Sequence, residues 1–154
     1  MLKNLKDLFD QLIAPAAESP QSSEHSLQLA TAVLLVEVMR ADPEMTDAER
    51  EAVATALRNT FTLSAEECEV LFERADRTSR EATDFFTFTS QVNESFSIEQ
   101  KVDMVEAMWR VAYADGNLDA HENHVMRRIG DLLHVPHGAY ANAKMRARDA
   151  TSAP

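Results

Sequence analysis

Glycine is scarce in this chain: 154 residues contain three glycines, five prolines, one cysteine and one tryptophan. Three glycines leave little material for a phosphate-cradling loop, and no Gly-x-Ser-x-Gly elbow is present to hold a nucleophile. A lone cysteine excludes an intrachain disulfide framework and fits a reducing compartment. Cys68 lies between Glu67 and Glu69, where like charge disfavours a thiolate. Long apolar runs are missing too. The most apolar stretch, Leu27 to Met39, is interrupted by Gln28, Thr31 and Glu37 and is too short to cross a bilayer. Met1 to Phe9 alternates charge with leucine at helical spacing and builds no secretory core. A cytoplasmic protein without membrane insertion is expected. Basic residues are in deficit, 15 against 26 acidic, for a formal charge of −11, which repels phosphate backbones and argues against nucleic-acid partners. What remains is 45% hydrophobic and rich in Ala, Leu, Glu and Arg, the composition of one helical domain with a well-buried core.

The chain repeats itself. Ala41-Asp42-Pro43-Glu44-Met45-Thr46 is echoed 73 residues later by Ala114-Asp115-Gly116-Asn117-Leu118-Asp119, and Glu49 by Glu122. A shift to 72 then pairs Val53, Leu57, Phe61 and Leu63 with Val125, Ile129, Leu133 and Val135. Such self-similarity marks a duplicated supersecondary unit.

Apolar spacing supplies the helices. Leu2, Leu5, Leu8, Phe9 and Leu12 form one amphipathic stripe, which either docks on the body of the protein or meets a partner; docking is the expectation. Ala14 to Ser26, with two prolines and several serines, reads as a flexible linker. Ser26 to Ala41 is apolar nearly all round and should be buried between other helices. Capping boxes at Thr46/Glu49, Ser64/Glu67 and Ser97/Gln100 open three further helices. The Ser64 helix is expected to fray over Arg74 to Thr83, which has no clear stripe. Thr83 or Asp84 should cap a short helix holding Phe85, Phe86, Phe88 and Val92, because a lone strand of these residues would have no partner. Asp119 and Glu122 open a helix that ends before Pro136, and a last helix carries Tyr140, Ala143 and Ala147. The expected domains are an N-terminal helix and linker over 1–25 and a helical body over 26–150. The repeats of that body span about 26–77 and 97–149, around the phenylalanine-rich helix.

The segments Leu34 to Arg50 and Val111 to Glu122, the latter continuing through Ile129-Gly-Asp-Leu-Leu, resemble the TerB family, small helical proteins first associated with bacterial tellurite resistance. The resemblance covers roughly Leu27 to Arg148 and implies an all-α bundle of seven to eight helices, built from two pseudo-symmetric three-helix repeats around a central helix. It also implies a non-catalytic interaction module in tellurite, oxyanion or other stress responses, with protein partners. One departure is plain: the usual Ala-Asp-Gly turn is Ala-Asp-Pro in the first copy, and Pro43 cannot take the positive φ open to Gly116.

Several constellations invite chemistry. Asp115-x-Asn117-x-Asp119 begins like a calcium loop, but Ala120 stands where glycine is needed and Met126 where a bidentate glutamate is needed, so a true EF-hand is excluded. A looser divalent-cation site for Ca, Mg or Zn on Asp115, Asn117, Asp119 and Glu122 is the alternative functional reading. Its competitor is a turn aspartate followed by helix caps. His121-Glu122-Asn123-His124 is one residue short of the zincin motif, and His134 and His137 flank Pro136, where histidine more often satisfies terminal carbonyls. Trp109 and Tyr113, with Met104 and Met108, read as core. Charge is lopsided. Residues 41 to 77 hold ten acids against four arginines, a net of −6, whereas 127 to 148 hold five bases against Asp131, a net of +4. Arg127, Arg128 and Arg146 are therefore the candidate interaction residues, for basic-face contacts or homo-oligomer formation.

Overall fold

The computed structural model describes residues 20–41, 46–114, 118 and 120–152, and these residues are helical with no strand among them. Seven helices follow in order: α1 (Pro20–Arg40), α2 (Asp47–Thr60), α3 (Ala65–Glu81), α4 (Phe86–Ser95), α5 (Ile98–Tyr113), α6 (Ala120–Leu132) and α7 (His137–Ser152). The amphipathic stripe of residues 2–12 lies outside the described residues.

The all-α repeat architecture is present. In the first unit α1 packs along α3, and in the second α5 packs along α7, the most extensive pairing among the described helices. The long first helices α1 and α5 also meet each other, and each unit's middle helix crosses to the other unit, α2 onto α5 and α6 onto α1. One continuous core results, formed by Val33, Leu34 and Met39 of α1, Val53 and Leu57 of α2, Met108 and Trp109 of α5, and Met126 and Ile129 of α6.

Local chemistry sets the helix ends. All three expected capping boxes form: Thr46, Ser64 and Ser97 each accept from the N–H three residues on, whose side chain accepts from the cap N–H in return. Glu49, in the first of these, is fully buried. Phe85 takes the cap position of α4, and the Asp84 carboxylate accepts from the Phe86 N–H. Helix, not strand, is thus the state of the phenylalanine-rich segment.

Two expectations are corrected. The first core helix starts at Pro20, not Ser26, because proline lacks only an N–H that a first helical turn leaves unpaired anyway. The Ser64 helix does not fray at Arg74 but runs to Glu81. Ala75 and Ser79 face α1 there, and the Arg40 guanidinium donates to Ser79 Oγ at 2.7 Å, so a small-residue contact and a polar bond replace the missing apolar stripe.

Glu37, one turn before Arg40, lies 3.8 Å from that guanidinium. Burial pushes its carboxyl above the usual range, while a bond with Ser79 and the Arg40 charge pull it back. The end of α6 also departs from the histidine reading. His134 adopts φ 59°, with its N–H on the Asp131 carbonyl and the Val135 N–H on the Gly130 carbonyl. That is a Schellman closure with histidine in the left-handed position where glycine is usual, so the backbone of His134, not its ring, satisfies the helix end.

Candidate functional site

A concavity of about 760 Å³ is an open groove along α2 and α5, where the two units meet. Its floor is made of small or flexible side chains: Ala52 and Ala56 of α2, Met104 and Ala107 of α5. Alanines at 48, 52 and 56 recur every four residues, which puts them on one face of α2. Glu51, Asp103, Glu106 and Arg110 wall the groove, three acids to one base.

The walls are partly braced. Glu106 accepts from two guanidiniums, Arg110 Nη2 at 2.8 Å and Arg146 Nε at 2.7 Å, so α7 is tied to the rim of the groove. Glu51 pairs with Arg58 at 3.2 Å, an exposed contact that contributes little. With Glu106 taken up by its two arginines, the groove offers an apolar floor with Asp103 and the exposed Glu51 on its rim, which suits a helix with one apolar face and a basic edge.

The sequence-based candidates are distributed differently. Arg127 and Arg128 are exposed on α6, and Arg128 lies over the Phe85 ring at 5.9 Å from its centre. Arg146, on α7, is taken up in the ion pair with Glu106. Of the cation-site candidates, Asp115, Asn117 and Asp119 lie outside the described residues. Glu122 is buried in the first turn of α6, as its repeat counterpart Glu49 is in α2. Among the described residues no group of three or more His, Cys, Asp or Glu side chains converges as ligands would. His121 and His124 are both exposed.

Cys68 is buried, and its Sγ lies 3.6 Å from the Ala54 carbonyl. Burial pushes its thiol pKa up, the Arg58 charge pulls it part of the way back, and the smaller opposing charge is Glu51, not the flanking Glu67 and Glu69 that the sequence suggested. Trp109, Met104 and Met108 are core as expected, with Tyr113 packed against it. Trp109 is wedged between Tyr113 and Tyr140, with Lys144 Nζ 4.8 Å from the ring centre.

The groove was missed at the sequence level. Its signal was the four-residue alanine period in α2 facing Asp103, Glu106 and Ala107, and no local pattern shows that those two faces adjoin. Among the described residues no helix is long and apolar enough to cross a membrane. A comparison with family models matches residues 28–145 to the family described as Tellurite resistance protein TerB. Neither curated proteins nor solved structures give a match.

Proposed function

This chain belongs to the TerB family, and on that footing we propose that it is a non-catalytic helical interaction module of a tellurite, oxyanion or other stress response. The observation that carries the reading is the open α2–α5 groove, an apolar floor with Asp103 and Glu51 on its rim, at the junction of the two units. Its partner class is a protein segment that folds as an amphipathic helix with a basic edge. The reading has the module act in the cytoplasm on protein partners, self-association included, without nucleic acid or membrane insertion.

The test is quantitative affinity capture with three baits: native chain, a groove-blocked Ala52→Arg/Ala107→Arg variant, and an Arg127/Arg128/Arg146 charge reversal. Partners lost only from the blocked groove support the reading. Partners lost only from the arginine variant move the docking face to α6 and α7, and identical profiles overturn both.

A divalent-cation sensor is the second reading, favoured by the position of buried Glu122 three residues after Asp119, the last of the Asp115-x-Asn117-x-Asp119 series in the sequence. Calorimetric titration with calcium, magnesium and zinc decides it. Binding no tighter than millimolar, or binding unchanged by Asp115→Ala with Asp119→Ala, removes that reading.

A further inference from the structure

Helix α3 turns one face to the core and the opposite face to solvent. Cys68, Leu71, Ala75 and Ser79, at i, i+3, i+7 and i+11, are buried where α3 packs on α1 and α2. Half a turn round, Glu66, Val70 and Arg77 form a straight row at i, i+4 and i+11, and all three are exposed. Val70 is 50% exposed, an unusual place for a valine in the middle of a charged row. It also lines a hollow of about 280 Å³ between α1 and α3, together with Leu29, Leu63 and Leu71.

Charge on this face is ordered along the helix. Glu66, Glu69 and Glu73 come first, Arg77 and Arg80 after, with Arg74 to one side in the lining of the hollow. Arg80 is held by Asp76 at 3.2 Å. Glu66, Glu69, Glu73 and Arg77 enter no ion pair among the described residues. The helix dipole accounts for acids in the first turn and an arginine in the last. It does not call for a half-exposed valine between them, beside an apolar hollow.

A row that is acidic at one end, apolar in the middle and basic at the other complements itself when a second copy runs antiparallel to it. We propose that α3 forms a two-fold, antiparallel contact with α3 of a second copy, Glu66 pairing with Arg77 across the dyad and Val70 at its centre. Setting residue 66 opposite residue 77 places the axis between Leu71 and Phe72. The two Val70 side chains then lie about 2 Å to either side of it along the helix. In this register the helices overlap over residues 65–78, so Arg80 and Glu81 lie beyond the contact. Glu73 falls to one side of the row, one turn from Arg77 of its own helix. The contact is one helix wide, which belongs with weak, reversible interfaces of less than about 1,200 Å². Helix α3 contributes no residue to the α2–α5 groove, so the pair keeps both grooves open. The dimer is thereby bivalent, and a partner carrying two helical segments gains from the second at the effective concentration its linker sets. That last step rests on the interaction reading above.

Sedimentation equilibrium of the full-length chain tests the contact in five samples: native, Glu66→Arg, Arg77→Glu, an equal mixture of those two, and the double variant Glu66→Arg/Arg77→Glu. Each substitution is at an exposed position, and far-ultraviolet circular dichroism checks that every variant stays helical. The native chain should move toward twice the monomer mass as its concentration rises to roughly millimolar. Each single variant opposes like charges at both ends of the contact and should associate about tenfold more weakly, or worse. The mixture and the double variant restore opposite charges at both ends and should recover native association. A native chain that stays monomeric overturns the proposal. Single variants that associate like the native chain also overturn it, because the contact then lies elsewhere, at the α6 arginines or through the groove. Failure of either the mixture or the double variant to recover does the same by removing the register. The masses are measured with no partner present, so this contact and partner capture by the groove variants fail separately.

Discussion

Gly130 and His134 show what single positions contribute at one helix end. A Cβ on Gly130 would meet Tyr140 Cε1 at 2.7 Å, and that ring is itself packed against Trp109 and His137. Gly130→Ala gains about 1 kcal/mol of helix propensity but overpacks a site where such insertions cost about 1–3 kcal/mol. A net loss on the order of 1 kcal/mol in urea denaturation is expected, and Tyr140→Leu should suppress it. His134 carries the opposite opportunity. A non-glycine residue in the left-handed region costs about 1–2 kcal/mol, and glycine gives part of that back as chain entropy. His134→Gly should therefore stabilise by about 0.5–1 kcal/mol, a rise of roughly 1–4 °C in Tm for a chain of this size. Glu37 supplies a pH signature. Its folded pKa is raised above the ordinary 4.5, so its contribution is full below that value and is lost as pH rises through the folded one. Glu37→Gln should gain on the native chain as pH is raised from about 4.5 to neutrality; parallel stability curves would disprove this.

At the scale of elements, the three helix starts marked by capping boxes were the most legible feature. Each of Thr46, Ser64 and Ser97 is followed at the third position by Glu or Gln, and the box closes from those side chains alone. Replacing any of the three by Ala should cost about 1 kcal/mol, read by urea denaturation. Helix ends were less legible. Nothing local predicts that α3 continues to Glu81, because what holds Ala75 and Ser79 is α1, a tertiary partner. The candidate site was less legible still. Ala52 and Ala107 look like ordinary surface alanines until α2 and α5 are set side by side. The arginines carried a real charge imbalance, but charge counted along a helix does not say which way it points. Arg146 closes on Glu106.

The whole molecule is two units joined through the contact of α1 with α5 and through the crossing of each middle helix into the opposite half. Neither half has a core of its own, so calorimetry should give a single cooperative transition; two resolved peaks would show that the shared core is weaker than its burial implies. The aromatic residues add a consequence of another kind. The one tryptophan and both tyrosines, Trp109, Tyr113 and Tyr140, all belong to the second unit, where Trp109 packs against each tyrosine. The protein is optically lopsided: near-ultraviolet light sees the α5–α7 half, while the first half answers only through phenylalanine and its backbone. A spectroscopist following tryptophan emission would therefore be watching half a molecule.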